Sequence, residues 1–280
     1  MHWLFFGALN VIGFSIAAIF QRLAMKKNDS DPVSSAIIFE FLLSLTSFIV
    51  ALVFGFHLPP KEVAVPMAAI AVLYGFGSIF FFRSAKTTEA SDISILGSMG
   101  TLVTVILSYF FLHERLNGTQ LIGVILILLA VVIINFSRHK LRLHTGAWQA
   151  ILGAACFGSA VIFDAVILKS YDAISYLPVG SFCIGVLLLI VFPRTTAKLP
   201  TAIKSVDVNL IVYSVLYTFA ALMFYIPMQL GAYVSQLSAV GRVSIILTVI
   251  LSAIFLKERS HIGKKIVGAI LTTIGIFLIR

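Results

Sequence analysis

Charge is what this 280-residue chain has least of: Asp, Glu, Lys and Arg together make up 11% of it. A soluble domain carries roughly 25%. Charge this sparse cannot coat a water-soluble globule, so a wholly aqueous protein is excluded. Acidic residues are the scarcer sign, 11 against 20 Lys and Arg, for a formal net charge of +9. No basic stripe with interleaved aromatics accompanies the excess, so nucleic acid is not expected as a partner. The two cysteines, Cys156 and Cys183, fall in apolar segments and read as small core residues, not as a disulfide. The histidines lie mostly in loops without ligand spacing, so no metal site is expected. H-E-x-x-H, G-x-S-x-G, a Walker A loop and a helix-opening GxGxxG are all missing, which argues against an enzyme and against a bound cofactor. No basic region precedes the first apolar stretch, as a detachable signal peptide would require.

What the chain has instead is apolar length. It is 60% hydrophobic, with a mean hydropathy of +1.08. A spanning helix needs about 20 predominantly apolar residues. Ten such spans can be drawn, over residues 3–25, 33–57, 63–83, 91–113, 119–136, 146–168, 174–192, 208–229, 232–256 and 262–279. The division between the eighth and ninth falls near Pro227 and Gly231. The expected setting is a multi-pass integral membrane protein, most simply of the cell membrane.

The chain also contains itself twice. TVILSYFFLHER at 104–115 returns as TVILSAIFLKER at 248–259, nine of twelve positions identical at an offset of 144. Ser91, Ser94 and Gly97 recur as Ser235, Ser238 and Gly241. Earlier in each half the offset is 143, pairing Phe14, Ala17 and Phe20 with Phe157, Ala160 and Phe163. The expected organisation is a first five-helix repeat at 1–137, a linker at 138–145 and a second repeat at 146–280. An odd number of spans turns the second copy upside down, so the fold class expected is an all-α membrane protein of ten transmembrane helices in two inverted five-helix repeats. Small residues four apart, such as Ala71 and Gly75 or Ala150, Ala154 and Gly158, mark helix-packing faces. The loops opposite the termini hold 15 Lys and Arg against 4 on the termini's own side, which by the positive-inside rule places both termini outside the cytoplasm.

The Leu-x-Glu-Arg sites at 112–115 and 256–259, the Trp-Gly-like or Phe-Gly-like opening of the first span and the Asp31-Pro32 pair resemble EamA-type transporters of the drug/metabolite transporter superfamily. The resemblance covers nearly the whole chain. It implies ten helices in two inverted repeats, alternating access, cytoplasmic termini and transport of small metabolites, often outward. The chain departs from the usual pattern in lacking a proline in the fourth and ninth spans and in carrying Glu40 where an arginine is common. The function expected is a secondary transporter, an exporter driven by proton coupling or exchange, working as a monomer or homodimer. The rivals are an intramembrane enzyme and a non-transporting receptor or partner subunit on the same fold.

Charges inside a bilayer cost roughly 2.5–3.5 kcal/mol each on insertion scales, so each needs a reason. Arg242, midway along the ninth span, is the candidate anchor for a carboxylate or phosphate, hence for an anionic metabolite or amino acid. Its alternative is a structural pair with Glu40 or Asp164. Glu40 lies within the run IIFEFLL and is the candidate proton-coupling carboxylate; otherwise it partners Arg242 or a helix-end Lys. Asp164 falls at the repeat position of Gln21. Both are candidates to line the pathway, with Gln236, although Asp164 reads more simply as a solvated charge near a loop. Tyr217 and Tyr74, on corresponding spans, are expected to shape the substrate pocket. Glu114 and Glu258 read as turn residues that favour the start of the following helix.

Overall fold

The computed structural model describes residues 2–26, 30–112, 118–137, 140–141, 144–204, 206–231, 241, 243–258 and 260–279. Over these the chain is helical nearly throughout. The first half runs α1 (His2–Lys26), α2 (Pro32–Phe54), a 3₁₀ turn (Lys61–Val63), α3 (Ala64–Thr87), α4 (Ala90–Gly97), α5 (Met99–Leu112) and α6 (Gly118–Asn135). Two-residue antiparallel strands, β1 (Phe136–Ser137) and β2 (Lys140–Leu141), pair between α6 and the second half. The second half runs α7 (Thr145–Ile167), α8 (Ala173–Val191), the short α9 (Pro193–Thr196) and α10 (Leu199–Lys204), α11 (Val208–Gln229), α12 (Ser244–Leu251) with a π turn at Ser252–Leu256, and α13 (Ile262–Ile279). Among the described residues, six helices (α1, α2, α3, α7, α8 and α11) are long and apolar enough to cross a membrane. Large apolar side chains such as Leu52, Val53, Phe54 and Ile190 face outward. Lipid, not water, is the solvent such a girdle suits.

Local chemistry sets the helix ends. Asp31 caps α2 by accepting from the Ser34 amide at 2.8 Å, and Pro32 occupies the first turn, where its missing N–H costs nothing. Asp172 caps α8 in the same way, from the Ser175 amide at 2.8 Å. The break after α11 comes where the sequence places it: Gly231 takes a φ of +88°, open to glycine without strain. The fourth span, continuous in the sequence pattern, is instead divided at Ser98. Its hydroxyl turns back onto the Ile95 carbonyl at 2.6 Å, competing with the helical ladder.

Packing joins the halves to each other more than each half to itself. The most extensively packed pairs are α3 with α7, α1 with α11, α6 with α13, α2 with α8, α5 with α7, α3 with α8, α2 with α11 and α1 with α12. This set is unchanged when the halves are exchanged, and the agreement extends to side chains. Phe157 meets Tyr74 edge-to-face at 4.7 Å and 77°; their repeat counterparts Phe14 and Tyr217 meet at 5.1 Å and 76°. A Cβ on Gly77 would lie 3.1 Å from that of Cys156, and one on Gly13 would lie 2.8 Å from that of Ala220. Backbones meet most closely where α5 crosses α7. There a Cβ on Gly158 would overlap the Gly100 carbonyl, and Thr104 donates to the Gly158 carbonyl at 2.7 Å. The stripe Ala150, Ala154 and Gly158 is buried, as its spacing suggests.

Candidate functional site

The two halves enclose a cleft among α2, α3, α7, α8 and α11. Its cavity volume is about 30 Å³. Each water needs on the order of 10–15 Å³ by that measure, so this conformation admits about two. Its polar lining is Glu40, Ser78, Ser181 and the tyrosines Tyr74, Tyr176, Tyr217 and Tyr225; Phe39 and Phe157 are the other rings.

Glu40 sits in the apolar face of α2 and is 2% exposed. Ser78, one helix away on α3, donates to its Oε1 at 2.6 Å. Among the described residues no cation pairs with it, so neither a helix-end lysine nor any described arginine neutralises it. Tyr213 stacks on Phe39 at 4.5 Å and 22°, and Tyr217 meets Phe39 edge-on at 5.2 Å and 87°. Tyr74 and Tyr217, the two tyrosines expected to shape a pocket, both line this cleft, 143 residues apart in the chain.

Asp164 is not the solvated loop-side charge its place near the end of α7 suggests. It is fully buried. Tyr74 donates to its Oδ2, Tyr176 to its Oδ1 at 2.5 Å, and Tyr225 to its Oδ2 at 3.3 Å. Four helices (α3, α7, α8 and α11) thus converge on one carboxylate. The hydroxyls make it an acceptor satisfied on both oxygens, which is what a carboxylate needs away from water. Gln21, its repeat counterpart, is half-buried and does not line the cleft. Arg242, Gln236 and Glu114 lie outside the described residues.

Glu258 also differs from expectation. It serves the other half of the chain, not the helix that follows it. Its Oε1 accepts from Arg22 Nε at 2.8 Å and its Oε2 from the Ala90 amide at 2.9 Å, so it caps α4. Arg22 further donates to the Ala85 and Lys86 carbonyls at 2.6 and 3.0 Å. Beside this pair, Lys265, 3% exposed, donates to Glu89, to Ser91 at 3.0 Å, and lies 3.4 Å from Asp92. These charges fasten α1 and α4 to the start of α13. At the opposite end of the bundle, the Tyr171 hydroxyl donates to the His57 carbonyl at 2.9 Å and Ser175 Oγ accepts from the His57 amide at 2.9 Å.

The EamA-like transporter family matches the chain twice, over residues 1–136 and 144–280. The chain belongs to that family. This EamA-like protein is therefore a member of a transporter family of the drug/metabolite superfamily and an integral multi-pass membrane protein, for which the cell membrane is the usual location. An uncharacterized protein of Methanocaldococcus jannaschii, MJ1333.1, is 26% identical over 132 residues, covering 47% of this chain and 94% of that one. That relative has about the length of one half. Protein PecM of Dickeya dadantii is 40% identical over 64 residues, 21% of this chain and 22% of that one. A solved crystal structure aligns with a TM-score of 0.63 over 97% of both chains at 15% identity, a likeness of fold alone.

Proposed function

We propose that this EamA-like protein is a secondary transporter that carries a small metabolite outward by alternating access, driven by proton coupling or exchange. Ten spanning helices in two five-helix repeats, the second inverted, would place the substrate site between the halves. The exchange-invariant helix contacts, the paired Phe–Tyr contacts and the half-length relative support that arrangement.

Glu40 carries the reading. A carboxylate buried in an apolar cleft, hydrogen-bonded by one serine and unpaired with any described cation, is costly to keep charged. Binding a proton or a substrate relieves that cost. If relief differs between the inward-open and outward-open states, proton movement biases the conformational change. The cleft is too narrow here for a metabolite, so a state with the halves parted has to form. Tyr217 and Tyr74, at equivalent places in the two halves, would shape the pocket as they part.

Reconstituted into liposomes with an imposed pH gradient, the protein is expected to drive solute flux that responds to the gradient. Glu40→Gln should abolish that response while leaving exchange without a gradient measurable. Equal gradient dependence in both proteins would remove Glu40 from the coupling.

A further inference from the structure

We propose that the cleft selects organic cations, and that a compact ammonium-bearing substrate takes the place of the proton on Glu40. The inference rests on the transport reading only for the cleft's being the substrate site. Among the described residues the lining includes no Lys, Arg or His, one carboxylate and six aromatic rings. Three pairs of those rings stand nearly at right angles: Phe39 with Tyr217 at 87°, Tyr74 with Phe157 at 77° and Tyr176 with Tyr225 at 74°. Rings at right angles form adjoining walls, and a ring face attracts a positive charge through its quadrupole. The hydroxyls of Tyr74, Tyr176 and Tyr225 are already turned to Asp164, so these residues offer the cleft ring surface in place of a free donor. An anionic substrate would meet a carboxylate and the negative faces of the rings. A cation meets complementary charge on both counts. The inferred substrate therefore differs from the anionic metabolite that an arginine such as Arg242 would hold.

The test uses benzylammonium, benzyl alcohol and benzoate, three solutes of one size and three charges, with tetraethylammonium as a second cation. Binding to the purified full-length protein is measured by calorimetry, and flux of the same solutes in proteoliposomes. Benzylammonium is expected to bind most tightly and more weakly as pH falls, because protons compete for Glu40. Glu40→Gln should weaken cation binding by at least about tenfold, the scale of a charge-assisted contact. Tyr217→Leu should weaken it about fivefold and Tyr217→Phe hardly at all, since the proposed attraction is to the ring face. All variants are first checked for wild-type elution on size exclusion, and the Tyr217 pair keeps the test open where Glu40→Gln fails to fold. Benzoate bound more tightly than benzylammonium, cation binding untouched by Glu40→Gln, or no binding of either cation overturns the inference. Flux of benzoate alone overturns it while leaving transport standing. Cation binding that depends on Glu40 but brings no flux supports it and removes the transport reading.

Discussion

Replacing Arg22 with methionine is expected to destabilise the protein by about 3–5 kcal/mol, the cost of leaving one member of a buried ion pair without its partner. The side chains of Arg22 and Glu258 are 12% and 6% exposed, and their atoms are 2.8 Å apart. Methionine keeps much of the apolar stem, so the loss is charge and hydrogen bonds and not volume. It strips Glu258 Oε1 of its donor and leaves the Ala90 amide as the partner of Oε2. It also removes donors from the Ala85 and Lys86 carbonyls, which close the end of α3. Glu258→Gln should cost less, because a neutral amide can still accept from Ala90. The double variant Arg22→Met with Glu258→Met should recover part of the single loss, since no uncompensated charge stays buried. Equilibrium unfolding in mixed micelles, run as a double-mutant cycle, reads these terms. A loss under about 1 kcal/mol for Arg22→Met, as an exposed pair would give, or strict additivity in the double variant, would refute the reasoning.

Lys265→Met should also destabilise, because it leaves Glu89 and Asp92 facing each other without their cation; the unfolding midpoint should rise again when Glu89→Gln is added. Gly158→Val should disrupt the crossing of α5 and α7, where backbone and not a yielding side chain stands in the way, and the protein should elute as aggregate on size exclusion. Asp31→Ala should cost about 1 kcal/mol in the same unfolding assay, the usual value of a lost helix cap. Asp164→Leu should fold poorly, since three tyrosine hydroxyls lose a shared acceptor, whereas Asp164→Asn should elute normally and melt lower.

Much of this architecture was legible because in lipid the backbone must satisfy itself, so spans announce themselves as apolar runs. The duplication made Tyr74 and Tyr217 stand out as a matched pair, and Glu40 drew notice as a charge in an apolar stretch. Asp164 reads as solvated from its place along its own helix, while its burial comes from tyrosines on three others. The role of Glu258 is hidden for a related reason: its partners Arg22 and Ala90 are 236 and 168 residues away. Ser78, the donor to Glu40, carries no signal in a single sequence. The π turn at Ser252–Leu256 is equally hidden, since its repeat counterpart reads as ordinary helix.

Of the five charges in the fastening, Arg22, Glu89, Asp92, Lys265 and Glu258, only Glu258 has a charged residue, Glu114, at its repeat position. The repeat offsets place Ala165, Tyr233, Gln236 and Gln120 at the other four positions. Duplication copied the helices and their contacts but not this knot of charge. Untying it would hydrate five ionic groups, while among the described residues the opposite end is tied by the hydroxyls of Tyr171 and Ser175 to the His57 backbone and by a 3.5 Å contact of His57 with Asp172. In the proposed transport cycle, salt would therefore act unequally on the two faces as they open. No symmetry would then oblige the two open forms of the proposed cycle to be equally populated, and a molecule assembled from like halves would acquire a front and a back.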